Sequence, residues 1–328
     1  MCMKNVKFWY VLVLFLLYMV VCFSMPTLII GNINSTRLGD EKIVDENFMS
    51  GDRFIKLLLT EKNEVVNLSL EDYLKGVLVG EVPVSYEIEA LKAQAVVART
   101  YTLYKLQNAK SKHEFDADMC DDINCCQAYK TKEYAFECWD EITENEKWSK
   151  FEEAVCSTSG EVILYSGDLI NAFFHAHSGG RTENVKYLWS KEEIPYLVSV
   201  EGNEGSIRQD SMTFSKSEFK DIIKDKVPDF ENDSKIIIKD YTGSGRINNL
   251  IIGDVIMEAT VLRNLTGIKS TNFRIEESGD NITFYTVGYG HGVGMSQEGA
   301  NQMAIDGNSH IEIIKHYYTG VEVSKMYF

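Results

Sequence analysis

The sequence is short of basic residues, with 33 Lys and Arg against 49 Asp and Glu and a formal net charge of -16. A protein that binds nucleic acid needs clustered basic side chains to displace the counterions of the phosphate backbone. The deficit therefore argues against a nucleic-acid partner, and equally against capture by anionic lipid head groups. A neutral or sugar-based substrate fits this charge balance better.

Several common catalytic signatures are also missing. The chain has no Gly-x-Ser-x-Gly elbow and no His-Glu-x-x-His helix, so serine-hydrolase and standard zinc-peptidase chemistry lose their main support. A glycine-rich stretch is present near the C-terminus, but no Gly-Lys-Ser/Thr follows it, and its spacing does not fit a dinucleotide fingerprint. No internal repeat or low-complexity tract is present.

The first thirty residues carry only two charges, Lys4 and Lys7. Residues 8–30 supply about the 20 apolar residues that a membrane-spanning helix needs, and the two lysines are expected to stay cytoplasmic. The sequence therefore predicts a single-pass protein of the cell membrane, with a cytoplasmic tail at 1–7, an anchor at 8–30, an acidic tether at 31–52 and an extracytoplasmic region at 53–328. A cleaved signal peptide is the alternative.

The region after the tether shows a mixture of strand and helix patterns without βαβ regularity, which predicts an α+β fold around a substrate groove. Period-2 and β-rich runs predict strands at 54–59, 65–68, 162–165, 170–175, 196–200, 236–240 and 247–252. Helices are expected at 70–80 (capped by Ser69), 88–106, 147–157, 214–226 and 311–318, with 111–133 irregular.

Glu81 lies where the first of these helices is expected to end, within the sequence GVLVGEVP. Apolar neighbours disfavour the ionised carboxylate and so raise the pKa of Glu81. A raised pKa suits a general acid that must hold a proton near neutrality. The adjacent glycines would let a polymer come close. A solvated glutamate at a helix end is the alternative interpretation.

Five cysteines lie outside the predicted anchor, an odd number that disulfides alone cannot consume. Thiolates and imidazole are the ligands that zinc prefers. His113 and Cys120, with two of Cys125, Cys126 and Cys138, form a candidate tetrahedral site. Disulfides in an oxidising exterior, such as one between Cys138 and Cys156, are an equal alternative.

Two further stretches combine histidine with small residues. In FFHAHSGG, His175 and His177 project to one face if the strand persists, as metal ligands, as proton donors or as partnered core histidines. In GYGHGVGMSQ, around His291, four glycines alternate with other residues before a helix begins. Alternating glycine permits close passage of a ligand or of another backbone, and a tightly packed bend is the alternative.

Taken together, these stretches resemble the stage II sporulation protein D family, which includes amidase-enhancer proteins. The matching blocks, in order, are LEDYLKGV at 70–77, GEVP at 80–83, EALKAQAVVARTY at 89–101, SGGRTEN at 178–184, GHGVGMSQ at 290–297 and HYYTG at 316–320. They span most of the chain after the tether.

The resemblance implies a lytic transglycosylase that cuts peptidoglycan glycan strands stripped of their stem peptides, with Glu81 as the essential acid. It also implies a role in engulfment during sporulation, with a membrane-anchored amidase/endopeptidase and a scaffold membrane protein as partners. Some family members hold Zn²⁺ after the long helix. Here the ligands would be His113, Cys120 and Cys126, with Cys125 where some relatives have histidine, in a structural site.

Lytic transglycosylation needs one carboxyl group, not the paired carboxylates of ordinary glycosidases. Donors such as Ser178, His291 and Gln297 would stabilise the transition state or hold the glycan, and Gln94 and Arg99 would line or buttress the same groove. Two other functions stay open: a non-catalytic enhancer of a peptidoglycan amidase and a zinc-dependent hydrolase. The residues predicted to bind the glycan are Gln94, Arg99, His175, Ser178, Gly179, Gly180, His291, Ser296 and Gln297.

Overall fold

The computed structural model describes residues 53–108, 113–123, 125–190, 192–231 and 233–326. The predicted tail, anchor and tether, residues 1–52, lie outside the described residues. Among the residues that are described, no helix is long and apolar enough to cross a membrane. This finding corrects the predicted single-pass location in the cell membrane, which we do not carry further.

Helices and strands are mixed along the chain, which confirms the α+β class. The helices are α1 (Leu70–Glu81), α2 (Ile88–Asn108), α3 (Lys132–Cys138), α4 (Glu144–Ser157), α5 (Lys216–Ile223), α6 (Ala259–Thr266), α7 (Gln297–Ile305) and α8 (His310–Tyr317). The strands are β1 (Phe54–Leu59), β2 (Glu64–Ser69), β3 (Met119–Cys120), β4 (Glu161–Tyr165), β5 (Asp168–Leu169), β6 (Phe174–His175), β7 (Gln209–Ser215), β8 (Ile236–Tyr241), β9 (Ile247–Ile252), β10 (Val255–Glu258), β11 (Phe273–Ser278), β12 (Asn281–Val287), β13 (Met295–Ser296) and β14 (Glu322–Lys325).

Helix α2 lies at the centre of the larger hydrophobic core. Nearly every side chain from Ala90 to Leu103 is buried, so the helix is covered on all sides and lacks the single apolar stripe that its sequence suggested. It packs against α1, α4, α7, α8 and β4. Its alanines allow the neighbouring elements to approach closely. This core holds the candidate site.

A smaller core is formed by residues 212–284. Two three-stranded antiparallel sheets, in the orders β10-β9-β8 and β11-β12-β7, enclose α5 and α6. Phe219 and Phe284 are fully buried between them. The segment that follows β12 then returns to the larger core, where β13 pairs with β6 in parallel.

Candidate active site

Glu81 is the last residue of α1, one residue beyond the predicted end of that helix. The helix ends there because Val82 is extended, although its N–H still donates to the Leu78 carbonyl. Lys150 then fixes the following loop by donating to the carbonyls of Val84 at 3.0 Å and Tyr86 at 2.5 Å. The carboxyl group therefore sits at a rigid junction between a helix and a clamped loop.

The two glycines before Glu81 accommodate the protein's own backbone. A Cβ atom at Gly80 would lie 2.9 Å from the carbonyl carbon of Ala128, and one at Gly76 would lie 2.1 Å from the Tyr129 ring. This contact brings the N–H of Ala128 to 2.7 Å from Glu81 Oε1. The expectation that these glycines admit a polymer is corrected, because the space beside them is filled by the loop at 127–130.

Burial raises the pKa of Glu81, while the Ala128 N–H and the side-chain amide of Gln297 act in the opposite direction. No carboxylate of the described residues contributes to the shift. The alternative of a freely solvated glutamate is therefore wrong. A half-buried carboxyl that favours its protonated form, with one oxygen fixed by an N–H donor, has the properties of a general acid.

Four rings, which we call the aromatic wall, form a series of contacts that begins at Tyr101, the ring on which the charge of Glu81 acts: Tyr101, Phe173, Trp189 and His291. Burial raises the pKa of the Tyr101 phenol. The charges of Glu81 and of the cysteine thiols of the candidate metal centre described below act in the same direction. From Tyr101 the ring contacts run to Phe173 at 6.1 Å, from Phe173 to Trp189 at 4.7 Å and from Trp189 to His291 at 4.9 Å. The side chain of Trp189 is 56% exposed, so the wall presents an open ring face to solvent.

His175 and His291 face each other at 5.6 Å between ring centroids. Burial lowers the pKa of His291 to about 3 and that of His175 well below its usual range, so both rings are neutral at neutral pH. Nδ1 of His175 pairs with the Val293 carbonyl at 3.1 Å, while its Nε2 has no partner among the described residues. Because the Val293 carbonyl accepts from Nδ1, the neutral ring of His175 offers Nε2 as a hydrogen-bond acceptor to a hydroxyl group. The ring nitrogens of His291 are paired with the backbone of Val293 and Phe174.

The alternating glycines from 288 to 294 place His291. All four, Gly288, Gly290, Gly292 and Gly294, have positive φ angles between 73° and 111°. A Cβ atom would lie 2.9 Å from His175 Cβ at Gly290 and 1.9 Å from the Phe173 carbonyl oxygen at Gly294. The stretch therefore passes close to the backbone of the FFHAHSGG segment, which was one expected interpretation. It does so as a tightly packed bend, which was the other, and the bend places His291 beside His175.

Two other predicted donors remain available to a ligand. The buried side-chain amide of Gln94 has no hydrogen-bond partner at either terminal atom. Gln297 Nε2 makes no hydrogen bond of normal geometry within the described residues, although it lies near enough to Glu81 to lower the pKa of that carboxyl. Gln94 lies seven residues before Tyr101 on α2, which puts the two side chains on one face of the helix.

Four of the predicted glycan-binding residues, Ser178, Gly179, Gly180 and Ser296, make internal contacts, and their role in binding stays a prediction. The Ser178 hydroxyl itself has no hydrogen-bond partner within the described residues. The buried carboxylate of Glu204 accepts the N–H groups of Ser178 at 2.6 Å and Gly180 at 3.3 Å, and the Ser296 hydroxyl at 2.6 Å. The Gly179 N–H donates to His177 Nδ1 at 2.8 Å. No local pattern around Glu204 marked it as the acceptor that unites these groups.

Arg99 also belongs to the core. Its guanidinium is fully buried and makes a bidentate pair with Glu71, at 3.2 and 2.6 Å, and further bonds to the carbonyls of Glu161 and Val155. Arg99 therefore buttresses the site by joining α2 to α1, α4 and β4, and the prediction that it lines the groove is corrected. Arg246 and Glu183, which the sequence did not single out, form a similar buried pair of charges beside Ser178.

A candidate metal centre lies on the other side of Tyr101. The ligand atoms of His113, Cys120, Cys125 and Cys126 all lie within 4.8 Å of one another. His113 Nε2 is 3.3 Å from Cys126 Sγ. Three thiols and one imidazole at this spacing fit a tetrahedral ion. We call these four residues the metal-site cluster.

The five described cysteines are free thiols, so the disulfide alternative, including a Cys138–Cys156 bond, is not borne out. The metal-site cluster is adjacent in sequence to the loop at 127–130, since Cys126 is two residues from Ala128. Lys105 donates to the Cys125 carbonyl at 2.6 Å and holds the loop onto α2. The cluster and the Ala128 N–H that contacts Glu81 therefore lie on one continuous segment of the chain.

The chain is similar to known proteins over the region that contains both parts of this site. A sequence model described as "Stage II sporulation protein" matches residues 59–165, which contain Glu81 and the metal-site cluster. Stage II sporulation protein D of Bacillus subtilis is 33% identical over 83% of this chain and 79% of its own length, and that of Bacillus amyloliquefaciens is 34% identical over 81% and 77%.

These matches define a sporulation protein associated with the cell wall. The chain belongs to the stage II sporulation protein D family. It is also similar to the amidase enhancer of Bacillus subtilis, at 27% identity over 76% of this chain and 40% of that protein.

Proposed function

We propose that the protein is a lytic transglycosylase that cleaves denuded peptidoglycan strands, with Glu81 as the only catalytic carboxyl group. The observation that supports this most is the isolation of Glu81: its pKa is raised by burial and no second carboxylate of the described residues acts on it. A water-activating glycosidase would need a second carboxyl group 5 to 10 Å away, on the order of the separations known for such pairs.

In the proposed reaction the Glu81 carboxyl gives its proton to the glycosidic oxygen while the bond from that oxygen to C1 breaks. The resulting carboxylate takes the proton of the C6 hydroxyl of the same sugar. O6 then forms a bond to C1 and closes a 1,6-anhydro ring, so the number of atoms is conserved and no water enters. The Ala128 N–H, bound to Oε1, leaves the other carboxyl oxygen for the substrate.

The aromatic wall is expected to hold the sugar next to Glu81. The electron-rich face of an aromatic ring packs well on the C–H face of a pyranose, and Trp189 exposes such a face. The unpaired amide of Gln94, with Gln297 Nε2 and His175 Nε2, supplies hydrogen bonds to hydroxyl and acetamido groups. His291, whose nitrogens pair with Val293 and Phe174, contributes its ring to the aromatic wall. Burying these polar atoms without a ligand is costly, which favours occupation by substrate.

The metal-site cluster would hold Zn²⁺ through four protein ligands, which leave no open position for substrate. The ion would supply a rigid cross-link and no catalytic step. Proposed partners are glycan strands, a membrane-anchored amidase/endopeptidase and a scaffold membrane protein, in engulfment during sporulation.

The test is cleavage of purified, peptide-free glycan strands followed by mass spectrometry. The natural sequence is expected to release fragments with 1,6-anhydro ends, and Glu81→Gln to lower the rate by about 100-fold or more, the usual contribution of a general acid. Glu87→Gln, an exposed glutamate six residues away, is the matched control and should cut normally. Unchanged cleavage by Glu81→Gln would overturn the assignment.

A second function is a non-catalytic enhancer of a peptidoglycan amidase, which the similarity to an amidase enhancer favours. It predicts that the protein binds strands without cutting them and that Glu81→Gln leaves amidase stimulation unchanged. The mass spectra of the strands distinguish the two functions.

A further inference from the structure

Three basic side chains gather around the ring of Tyr289. The Arg208 guanidinium carbon lies 4.7 Å from the ring centroid and Lys269 Nζ lies 5.2 Å from it. Arg263 joins them, since its Nε donates to the Lys269 carbonyl at 3.4 Å. Tyr289 itself is 36% exposed, so the group reaches the surface.

The charges of this group are not balanced. Arg208 is paired with Glu298 at 2.8 Å. Within the described ranges, Lys269 and Arg263 make no ion pair with a carboxylate, although the chain has 49 acidic residues against 33 basic ones. Both are partly buried. Two partly desolvated cations without a protein anion form a favourable place for a carboxylate from a ligand.

The group borders the candidate active site on two sides. On one side Glu298, the partner of Arg208, follows Gln297, whose amide acts on Glu81. On the other side the Gly290 N–H donates to the Lys269 carbonyl at 2.9 Å, which ties Lys269 to the residue before His291.

Arg263 is close enough to His291 for its charge to act on that ring, which contacts Trp189 at 4.9 Å. His291 therefore links the exposed ring of Trp189 to the basic group around Tyr289.

We propose that Lys269 and Arg263 bind the lactyl carboxylate of a muramic acid residue and thereby select strands without stem peptides. This inference rests on the proposed action on peptidoglycan strands. In a peptide-bearing strand the lactyl group is a neutral amide, and the carboxylate appears only when that amide is hydrolysed. The reaction that supplies the substrate is therefore amide hydrolysis at the lactyl group.

The experiment compares two preparations of one strand: peptide-free glycan with free lactyl carboxylates, and the same glycan with each carboxylate converted to a methylamide. Equilibrium binding is measured with the Glu81→Gln protein, so that strands stay intact, and cleavage with the natural sequence. The free acid should bind about tenfold more tightly, since a charge-assisted hydrogen bond is the interaction lost, and the preference should shrink at high salt.

Two variants in the same background assign the effect to residues. Lys269→Met keeps the apolar stem over Tyr289 and should lower affinity for the free acid about tenfold without changing affinity for the methylamide. Lys239→Met removes the same charge from an exposed site on β8 and should change neither. Trp189→Ala should weaken both strands alike, because stacking is independent of the carboxylate.

Equal binding of the two strands, no binding of either, or a full preference in Lys269→Met would overturn the inference. Its failure is distinguishable from that of the proposed reaction. If both strands are cleaved at the same rate, the transglycosylase proposal is kept and the carboxylate site is rejected. If the free acid binds preferentially but no anhydro products form, the carboxylate site is kept and the proposed transglycosylase reaction is rejected.

Discussion

At the scale of single residues, chemistry depends on neighbours that are distant in sequence. The apolar stretch around Glu81 was enough to predict a buried carboxyl group with a raised pKa. Its hydrogen-bond donor, Ala128, lies 47 residues further on and no local pattern indicated it. Arg99 shows the converse, because its pairing with Glu71 on another helix withdrew it from the predicted groove.

Glu81→Gln is expected to raise the free energy of unfolding at neutral pH. Because burial raises the folded-state pKa of Glu81 above the ordinary 4.5, this carboxyl stabilises the fold fully below pH 4.5. That contribution is lost as the pH rises through the folded-state pKa. Glutamine is neutral throughout. The melting temperature of the variant should exceed that of the natural sequence at pH 8, with the difference vanishing below pH 4.5. A less stable variant at pH 8 would contradict the account.

At the scale of elements, capping and glycine signals determined boundaries that apolar runs alone misplaced. Phe214 was expected to begin a helix, yet it lies in β7, because the Ser215–Glu218 capping box starts α5 at Lys216, two residues later. The predicted strand at 196–200 instead begins in a turn, where the Leu197 N–H donates to the Ile194 carbonyl, and ends in irregular chain that is hydrogen-bonded to Thr182. Strands β11 and β12 were not predicted. β11 is an exposed edge strand that is rich in glutamate, and β12 was identified as its partner only from their pairing in the structure.

We expect a bound ion in the metal-site cluster to fix the position of the loop at 127–130, and Cys126→Ser tests this expectation. Loss of one thiolate is expected to lower the zinc content of the purified protein and to slow strand cleavage, because the Ala128 N–H would no longer be fixed on Glu81. Cys156→Ser, at an exposed thiol outside the cluster, is the control. Normal activity in a zinc-free Cys126→Ser protein would separate the cluster from catalysis.

At the scale of the whole molecule, the α+β class followed from the mixture of periodicities, but the division into two cores did not. It arises from long-range pairing, such as β13 with β6, that no local periodicity encodes. The contacts of His310 are likewise long-range and could not be predicted from local periodicity. Its ring bridges Glu89 at 2.9 Å and Glu161 at 3.0 Å, and so joins α8 to α2 and β4.

This bridge predicts an acid-sensitive contribution to global stability. Burial opposes ionisation of Glu89, but hydrogen bonds from Lys92 and His310 prevail and lower its pKa to about 2. A lowered folded-state pKa stabilises the protein above the ordinary 4.5 and loses that effect as the pH falls from 4.5 to about 2. Urea unfolding of Glu89→Gln should show a deficit at pH 6 that narrows towards pH 2. A deficit independent of pH would contradict this.

The central claim is that the sugar's own hydroxyl, and not water, replaces the leaving group during strand cleavage next to Glu81. The most direct measurement is cleavage of peptide-free strands in ¹⁸O-labelled water, with intact-mass analysis of all fragments. The account predicts that fragment masses sum to the mass of the uncut strand and that no ¹⁸O appears. Hydrolysis would instead add one labelled water for each bond cut, with the ¹⁸O at the new reducing end. That result, or strands that stay uncut, would contradict the account.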